Sequence, residues 1–312
     1  MKLKLFSPAK VNVFLSVLGP REDGFHELVS VVCPLDFGDD LGLEIPGGQG
    51  DDSLSCDKEG VPLDPSNLCL KAVRAYRKEY PLLGRVRVTI SKKVPMGGGM
   101  GGGSGNGSAV LWGLDQLLGN PLGKCKLMAL AAGLGSDCPL FLEGGAVVIR
   151  GRGEKVAPLP ESACQKLAGR EVILLMPGMP VPTVWAYGRF REMGSDAYDQ
   201  AGAAESRLHG FVQGGAGLED FTYNNFEPVV FGKYLALEAF KDRLGSLCPG
   251  TVLLSGSGST LFVMSPEGGF PDRLEPVLFD AGKEAFGEDF GLVKARTAPF
   301  KAPQPFCPGL GK

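Results

Sequence analysis

Residues 94–106 read Val94-Pro-Met-Gly-Gly-Gly-Met-Gly-Gly-Gly-Ser-Gly-Asn106 and place six glycines in the seven positions 97–103. The alternating residues 85–90 predict a strand before this run, and Ser104 begins an apolar pattern of helical period after it. Glycines leave no side chains where the backbone turns, so the N–H groups of the run can converge on a phosphate chain. The positive end of the following helix would add to that anion site. A strand, a glycine loop and a helix in this order therefore predict a phosphate-binding loop.

The common glycine-rich nucleotide motifs match this run poorly. A P-loop needs Lys-Ser or Lys-Thr after its last glycine, and no such pair follows Gly103. Gly97, Gly99 and Gly102 satisfy the dinucleotide pattern GxGxxG, but Asp115, at nearly the expected distance, falls inside the helix that must precede the second strand. A flexible glycine linker is the plain alternative, and the strand and helix that frame the run weigh against it.

Length and composition indicate two globular domains. The chain has 312 residues, a length that exceeds the usual size of a single core. Its composition, 44% hydrophobic and 21% charged, is typical of globular proteins. We expect domains over residues 1–160 and 161–312, with a Pro/Gly tail over residues 301–312. The net charge of −3 comes with scattered Lys and Arg residues, so we expect no nucleic-acid partner.

Cysteine and histidine usage gives no candidate metal site. Eight cysteines are spread without a CxxC pair, and there are two histidines, so we expect no metal ligand set. No apolar run reaches the ~20 residues that span a bilayer, and the N-terminal segment lacks the apolar core of a signal peptide. We therefore expect a cytoplasmic protein with reduced cysteines and no membrane partner.

Outside the glycine run, short strands and helices mix in an α+β pattern. Residues 1–6 and 11–18 predict two strands around a turn at Ser7-Pro8-Ala9, and Ser66 is a candidate helix cap. Residues 194–217, rich in Gly, Ala and polar residues, predict a mobile insertion. The remaining predicted strands are 28–35, 146–149, 172–176, 252–254, 261–264 and one near Leu292, and the remaining predicted helices begin at Lys124, Thr183, Phe226 and Asp272.

Three motifs in this order resemble those of the GHMP kinases, the relatives of galactokinase, homoserine kinase and mevalonate kinase. They are Pro8-Ala9-Lys10-Val11-Asn12, the glycine motif from Pro95 to Ser104, and Leu254-Ser-Gly-Ser-Gly-Ser259. Further segments are similar to those of the members that phosphorylate a methylerythritol linked to cytidine diphosphate, in the non-mevalonate isoprenoid pathway. These segments are Arg21-Glu-Asp-Gly-Phe-His-Glu27, Gly135-Ser-Asp-Cys-Pro139 and Asn224-Asn-Phe-Glu-Pro228. The resemblance covers most of the chain.

The resemblance implies an α+β, two-domain GHMP-kinase fold. Its N-terminal α/β domain and C-terminal ferredoxin-like domain would form the active site in the cleft between them. It also implies ATP as co-substrate, the Mg²⁺ that accompanies ATP, and a small-molecule acceptor, in a monomer or a homodimer. The chain has Ser104-Gly-Asn-Gly-Ser108 where family members commonly have Ser-Ser-Asn-Ala-Ala, which we expect to loosen the loop, and a longer insertion before Asp220.

The resemblance also implies roles for residues in the phosphoryl transfer. Asp137 is the candidate catalytic base, and Lys10 is its cationic partner, which keeps the carboxylate ionised and stabilises charge on the acceptor oxygen. Taken alone, an Asp after Gly-Ser is more often a turn or a helix cap. Asn12 follows Lys10 by two residues, so in an extended strand both point to the same face and reach one substrate.

Substrate-binding roles follow from the same resemblance. His26 matches the residue that reads the cytosine edge, and Phe25 and Tyr187 match the aromatic residues that stack on the base; core packing is their alternative role. Thr183 matches a contact to the acceptor diphosphate. The implied ATP-binding residues are Asn67 near adenine and Pro95, Gly97, Gly98, Gly99, Gly101, Gly102, Gly103 and Ser104 in the loop.

Two other functions stay open at this point. One is a GHMP kinase with another acceptor, such as homoserine or mevalonate, and Gly24-Phe25-His26 argues against it. The other is a catalytically silent family member that binds a nucleotide or metabolite. The presence of both Lys10 and Asp137 argues against that alternative.

Overall fold

Two β-sheets organise the chain in the computed structural model, which describes residues 1–48, 50–298 and 306. The strands are β1 (Lys2–Pro20), β2 (His26–Glu44), β3 (Ser53–Cys56), β4 (Arg87–Ser91), β5 (Val147–Gly151), β6 (Lys155–Pro158), β7 (Glu171–Met176), β8 (Tyr223–Asn224), β9 (Thr251–Leu254), β10 (Leu261–Met264) and β11 (Gly291–Arg296). The helices are α1 (Leu68–Glu79), α2 (Gly102–Leu117), α3 (Gly123–Leu134), α4 (Cys138–Phe141), α5 (Glu161–Leu167), α6 (Thr183–Met193), α7 (Ala201–Val212), α8 (Leu218–Phe221), α9 (Phe226–Phe231), α10 (Leu235–Leu247) and α11 (Leu274–Phe286). None of the described helices has the length and apolar composition needed to cross a membrane.

The first sheet has seven strands in the order β3-β4-β2-β1-β8, with β5 on β2 and β6 on β5. The predicted turn at Ser7-Pro8-Ala9 is wrong, because β1 runs through it. Pro8 pairs with Gly38 and Lys10 with Pro34, so the register shifts between them and leaves an irregularity in both strands. A proline, which cannot donate to the ladder, is tolerated at such an irregularity.

The second sheet is antiparallel, in the order β11-β7-β10-β9. Numbered along the chain within this sheet, the order is 4-1-3-2, with helical segments between the first and second strands and between the third and fourth. This βαββαβ arrangement is the ferredoxin-like topology that the resemblance implied. The predicted strand at 261–264 is confirmed residue for residue, and the predicted helices from Thr183 and Phe226 begin where expected.

The two sheets are joined along both sides of the cleft. On one side Leu35 and Thr297 form a β-bridge, and Ala298 N donates to Pro34 O at 2.8 Å. On the other side β8 pairs with β1, and Asn224 Nδ2 donates to Leu254 O at 2.7 Å. Since β8 follows residue 160 and yet joins the first sheet, the chain crosses between the sheets more than once. The domain boundary near residue 160 stays a prediction.

The segment 194–217 was predicted as a mobile insertion, and that prediction is wrong because the segment contains α7. This helix buries Ala204, Leu208 and Phe211, and the Phe211 ring stacks on Phe221 with centroids 4.0 Å apart. The many small and polar residues around these three concealed the helical spacing. The predicted tail over residues 301–312 lies outside the described residues, except for Phe306, whose carbonyl accepts from Phe6 N at 3.1 Å.

Two glycines at the start of α2 bring this helix close to its neighbours. A Cβ on Gly105 would lie 2.8 Å from Ser7 Oγ, and one on Gly107 would lie 3.2 Å from Leu68 Cβ. The family more commonly has Ser and Ala at these two positions. Glycine therefore allows α2 to approach β1 and α1 more closely than those side chains would, and the expected loosening of the loop stays a prediction.

The Asp39 side chain on β2 binds residues on both sides of the glycine loop. Its carboxylate is fully buried and accepts four hydrogen bonds. Oδ2 accepts from Lys92 Nζ at 2.6 Å and from Asn106 Nδ2 at 3.0 Å, and Oδ1 accepts from the backbone N–H groups of Lys93 and Val94, both at 2.8 Å. One side chain therefore fastens β2 to both ends of the loop, since residues 92–94 precede the loop and Asn106 follows it in α2.

Asp39→Asn is expected to lower the free energy of unfolding by about 3–5 kcal/mol, the usual cost of removing one partner of a buried ion pair. The new amide would turn a donor toward Lys92 Nζ and Asn106 Nδ2, and the Lys92 side chain is only 7% exposed. Urea unfolding measures the loss. Asp40→Asn is the matched control, because Asp40 pairs with Lys93 while 56% exposed and should cost at most about 1 kcal/mol. Equal small losses would contradict the clamp.

Candidate active site

A cavity of about 770 Å³ lies between the two sheets. It is bounded by the glycine loop, the middle of β1, the start of β2, α6 and the turn after β9. Every residue predicted for the site lines this cavity. The structure therefore brings together side chains that are up to 177 positions apart, from Lys10 to Tyr187.

The glycine loop separates its backbone donors from its backbone acceptors. Gly97, Gly99 and Gly101 have positive φ angles of 70°, 76° and 69°, with ordinary backbone conformations between them. Such alternation turns successive N–H groups toward one side. In the part of the chain that the structure describes, the N–H groups of residues 97–104 donate to no protein acceptor. They are therefore available to the oxygens of a bound phosphate.

The carbonyl oxygens of the same loop are all taken by protein donors. Val181 N and Thr260 N donate to Gly97 O and Gly98 O, both at 3.3 Å. Ser255 Oγ donates to Gly99 O at 3.1 Å, and Lys10 N donates to Met100 O at 3.0 Å. These donors come from β1 and from the segments at one end of the second sheet, so the rest of the fold orients the loop.

Glycine is required at two loop positions by close approach. A Cβ on Gly99 would lie 1.9 Å from Ser255 O, a backbone atom that cannot move aside easily. A Cβ on Gly101 would lie 2.9 Å from Phe141 Cζ and 3.2 Å from Lys10 Cγ. Gly101 is also the N-terminal cap of α2, so its left-handed backbone directs the free amides of that helix into the cavity.

Lys10 is held in the cavity by a short series of hydrogen bonds. Its side chain is 4% exposed, and Nζ donates to Asn12 Oδ1 at 2.6 Å. Asn12 Nδ2 donates to Ser30 Oγ at 2.9 Å, and Ser30 Oγ donates to Phe14 O. Lys10 and Asn12 thus share one face of β1, as predicted. Burial lowers the pKa of Lys10, and the charge of Asp137 opposes that effect.

Asp137 precedes α4 without capping it. It occupies the N-terminal cap position, yet its carboxylate accepts no hydrogen bond from the backbone of the helix. Capping therefore does not explain the presence of this side chain. Within the described residues it forms no ion pair with Lys10, whose ammonium is bound to Asn12. Its charge nevertheless acts on Lys10 and helps burial to raise the pKa of Tyr187. A carboxylate in this position can accept a proton from a group in the cavity.

Aromatic residues from β2, the turn before it and α6 also line the cavity. Phe25 is 45% exposed, with the Arg152 guanidinium 4.6 Å from the centre of its ring. Tyr187 stacks on the His26 imidazole at 4.8 Å and meets the Phe226 ring edge-on at 5.0 Å. One face of each predicted stacking residue is therefore already covered by a protein group, which leaves the other sides to a ligand.

Helix α6 presents one face to the cavity through Thr183, Tyr187 and Arg191, which are spaced four residues apart. Thr183 is the first residue of the helix, and its hydroxyl lies 3.1 Å from Ser257 Oγ. Arg191 donates to Gly24 O, which ties the helix to the turn before Phe25. The N-terminus of α6 and the Thr183 hydroxyl therefore line the cavity, and their contact with an acceptor diphosphate stays a prediction.

Sequence reasoning missed three cations of the cavity, namely Lys92, Arg152 and Arg191. The helical spacing from Thr183 through Tyr187 contained the signal for Arg191. Arg152 follows β5, and nothing in its local sequence points to Phe25. Among the described residues, no group of three or more His, Cys, Asp or Glu side chains is arranged to hold a metal ion.

Asn67 lines the cavity but its polar atoms serve the local fold. Its Oδ1 accepts from Cys69 N at 2.9 Å and caps α1, and its Nδ2 donates to Pro62 O at 2.7 Å. The prediction that Ser66 caps this helix is therefore wrong by one residue. Asn67 fixes the segment 62–68 that forms this wall of the cavity, and its contact with adenine stays a prediction.

The sequence of the chain is similar to that of known proteins. The GHMP kinases N terminal domain matches residues 67–145. The chain is 37% identical over 273 residues to 4-diphosphocytidyl-2-C-methyl-D-erythritol kinase from Synechococcus elongatus, covering 83% of this chain and 85% of that protein. It is 35% identical over 272 residues to the chloroplastic 4-diphosphocytidyl-2-C-methyl-D-erythritol kinase of Arabidopsis thaliana, covering 85% of this chain and 68% of that protein.

Solved structures agree with these matches. A crystal structure of 4-(cytidine 5'-diphospho)-2C-methyl-D-erythritol kinase superposes with a TM-score of 0.73 at 30% identity, covering 95% of this chain and 99% of that chain. Homoserine kinase from Cytophaga hutchinsonii superposes with a TM-score of 0.68 at 19% identity, covering 95% of each chain. The second likeness shows the fold alone, which is the expected α+β GHMP-kinase fold.

Gly101→Ala is expected to weaken ATP binding at least about 10-fold while the protein stays folded. The methyl group meets Phe141 and Lys10, and a non-glycine residue at this φ costs on the order of 1–3 kcal/mol. Isothermal titration calorimetry measures the affinity, and circular dichroism monitors the fold. Gly133→Ala in α3 is the control, because its methyl group would meet no atom within 4 Å. An unchanged ATP titration would refute the phosphate-loop assignment.

Proposed function

The chain belongs to the 4-diphosphocytidyl-2-C-methyl-D-erythritol kinase family of the GHMP kinases, and we propose that it phosphorylates the 2-hydroxyl of that cytidine compound with ATP. The reaction serves the non-mevalonate isoprenoid pathway. The observation that carries the proposal is the meeting of a phosphate loop, a buried Lys–Asn pair and a free carboxylate in one cavity. Its aromatic end supplies surfaces for a base.

ATP binds with its phosphates on the N–H groups of residues 97–104 and the N-terminus of α2. Mg²⁺ enters with ATP as part of the substrate. Because the loop carbonyls are bound to other parts of the fold, the N–H groups need little rearrangement when negative charge develops on the transferring phosphoryl group. Preorganised donors of this kind supply much of the catalysis in phosphoryl transfer.

Lys10 neutralises charge on the transferring oxygens. Its ammonium is confined between Asn12 and the turn at Gly256, where a Cβ would lie 3.2 Å from Nζ. Burial lowers the Lys10 pKa, and an arriving phosphate would raise it again by favouring the charged form. Lys10 is therefore most fully protonated when a phosphate is bound beside it.

Asp137 accepts the proton of the acceptor hydroxyl as that oxygen attacks the γ-phosphorus. The bond between the γ-phosphorus and the oxygen that bridges it to the β-phosphate breaks, and ADP leaves with the bonding electron pair. Lys10 and Asp137 act on the same reaction from separate positions, since the two side chains are not paired with each other. This separation leaves room for the acceptor oxygen between a cation and a base. Asn12 orients the Lys10 ammonium and is in reach of the same substrate.

The acceptor spans the rest of the cavity. Its diphosphate lies at Thr183 and the N-terminus of α6, and its cytosine lies among Phe25, His26 and Tyr187. Arg191 and Arg152 add positive charge along this path. The proposal extends to an oligomeric state of monomer or homodimer and to a cytoplasmic location, as expected from the sequence.

Asp137→Asn should lower kcat by at least ~10²-fold, because the amide keeps the size of the side chain but cannot accept the proton. ATP affinity, measured by calorimetry, should change little, since the substitution leaves the N–H groups of the phosphate loop in place. Asp280→Asn, on the exposed face of α11, is the control and should keep the parental rate. Near-parental turnover in Asp137→Asn would exclude Asp137 as the base.

Acceptor choice tests the cytidine assignment. We expect the cytidine compound to be phosphorylated in preference to its uridine analogue, homoserine and mevalonate, because uracil exchanges the donor and acceptor positions at N3 and C4. Tyr187→Ala should weaken use of the cytidine compound by about 10- to 100-fold, since base stacking contributes on the order of 1–3 kcal/mol. Equal rates with both bases would refute the assignment. Absence of ATP turnover with every acceptor would favour a silent binding protein.

A further inference from the structure

The His26 imidazole is enclosed by aromatic rings that all come from residues 187–198. Its ring centre lies 4.8 Å from that of Tyr187, 5.8 Å from that of Tyr198 and 6.4 Å from that of Phe190. The residue is 4% exposed and still lines the cavity. Within the described residues, its ring has one hydrogen-bond partner, the Tyr198 hydroxyl, which lies 3.2 Å from Nε2. Nδ1 is therefore the ring nitrogen left for a ligand.

A neutral imidazole carries one donor and one acceptor nitrogen, so the partner of Nε2 decides what Nδ1 can do. Burial lowers the pKa of His26, and the nearby positive charge of Arg191 lowers it further, which favours the neutral ring. Burial raises the pKa of Tyr198, so its hydroxyl keeps its proton. A neutral phenol can either donate to Nε2 or accept from an Nε2–H group, and when it donates, the imidazole proton lies on Nδ1.

We propose that Tyr198 is a positioning residue that holds His26 in the Nδ1–H tautomer and thereby sets which base the cavity accepts. The inference rests on the proposed function, because it takes His26 to be the residue that reads the base. An Nδ1–H group matches the acceptor that cytosine carries at N3 and opposes the N–H group that uracil carries there. A buried donor left facing another donor discriminates strongly between two ligands.

Tyr198 is fixed well enough to perform this task. Its ring stacks on Phe190, with centroids 5.5 Å apart and planes 19° from parallel. The next residue, Asp199, anchors the backbone, because its N–H donates to Val17 O at 3.0 Å. The Asp199 carboxylate accepts from Ser16 Oγ at 2.6 Å and from Tyr223 Oη at 3.0 Å. The contacts of its ring with Phe190 and of the next residue with β1 therefore fix the position of the Tyr198 hydroxyl.

The test uses Tyr198→Phe, which removes the hydroxyl and keeps the ring packed on Phe190. Because the chain has only two histidines, a ¹⁵N spectrum of the imidazole nitrogens contains one set from His26 and one from His209, which serves as an internal reference. We expect the parent to show a protonated Nδ1 and an unprotonated Nε2 at His26. The variant should show both shifts moving toward the averaged values of mixed tautomers.

Kinetics supply the second measurement. In Tyr198→Phe the ratio of kcat/KM for the cytidine compound to that for its uridine analogue should fall about 10-fold, mainly through KM for the cytidine compound. The matched control is Tyr76→Phe, which also loses one hydrogen bond of a tyrosine hydroxyl, to Asp115, but lies outside the cavity and makes no contact with Tyr198 or Asp199. Its His26 signals and its base preference should equal those of the parent.

Different outcomes refute different statements. Unchanged His26 signals in Tyr198→Phe would overturn the inference, whatever the enzyme phosphorylates. Shifted signals with an unchanged preference between the two bases would overturn the link between the tautomer and specificity. A parent that uses both bases equally would refute the cytidine assignment of the proposed function, and the tautomer measurement would still decide what Tyr198 does.

Discussion

The position of the glycine loop depends on the buried carboxylate of Asp39. A glycine-rich backbone loses more conformational freedom on folding than any other, so a loop of this composition has no preference for one shape. Asp39 supplies the missing constraint, because its two oxygens hold residues on both sides of the loop. The lysine that balances its charge, Lys92, also lines the cavity. Stability and the geometry of the anion site therefore share one interaction.

The second sheet completes this constraint. Donors from the segments around β9 and β10, and from the strand-to-helix turn before α6, occupy the loop carbonyls. The first sheet supplies Lys10 and Asn12, and α6 faces them from the other side with Thr183 and Tyr187. Neither half of the chain contains a complete site. Packing between the halves is consequently as important to the chemistry as any single side chain in the cavity.

Much of the fold could be predicted from sequence, and the failures have physical causes. The periodicity around the glycine loop and the short apolar strands of the second sheet gave correct elements because local pattern and burial agree there. Pro8 suggested a turn, but pairing with β2 overrode local preference and absorbed the proline in a register shift. The helix in residues 194–217 was missed because small residues surround its three buried positions.

The candidate site divides in the same way. The loop, Lys10 and Asp137 belong to contiguous motifs, so they could be predicted from their neighbours in the sequence. Arg152 and Tyr198 act through contacts with Phe25 and His26, which lie more than 120 positions earlier in the chain. No local pattern encodes such contacts, since they arise only when β5 pairs with β2 and when the segment after α6 folds back on the cavity. Asn67 was recognised as a cavity residue, but its capping bonds required coordinates.

The connections between the two sheets have a consequence for how ligands come and go. The bridge between Leu35 and Thr297 and the pairing of β8 with β1 fasten the cleft at opposite sides. Separating the two sheets would break the hydrogen bond between Ala298 and Pro34 at one attachment and the one between Asn224 and Leu254 at the other. We therefore expect the nucleotide and the acceptor to enter and leave past the turn at residues 21–25 and the segment 62–68, which line the cavity.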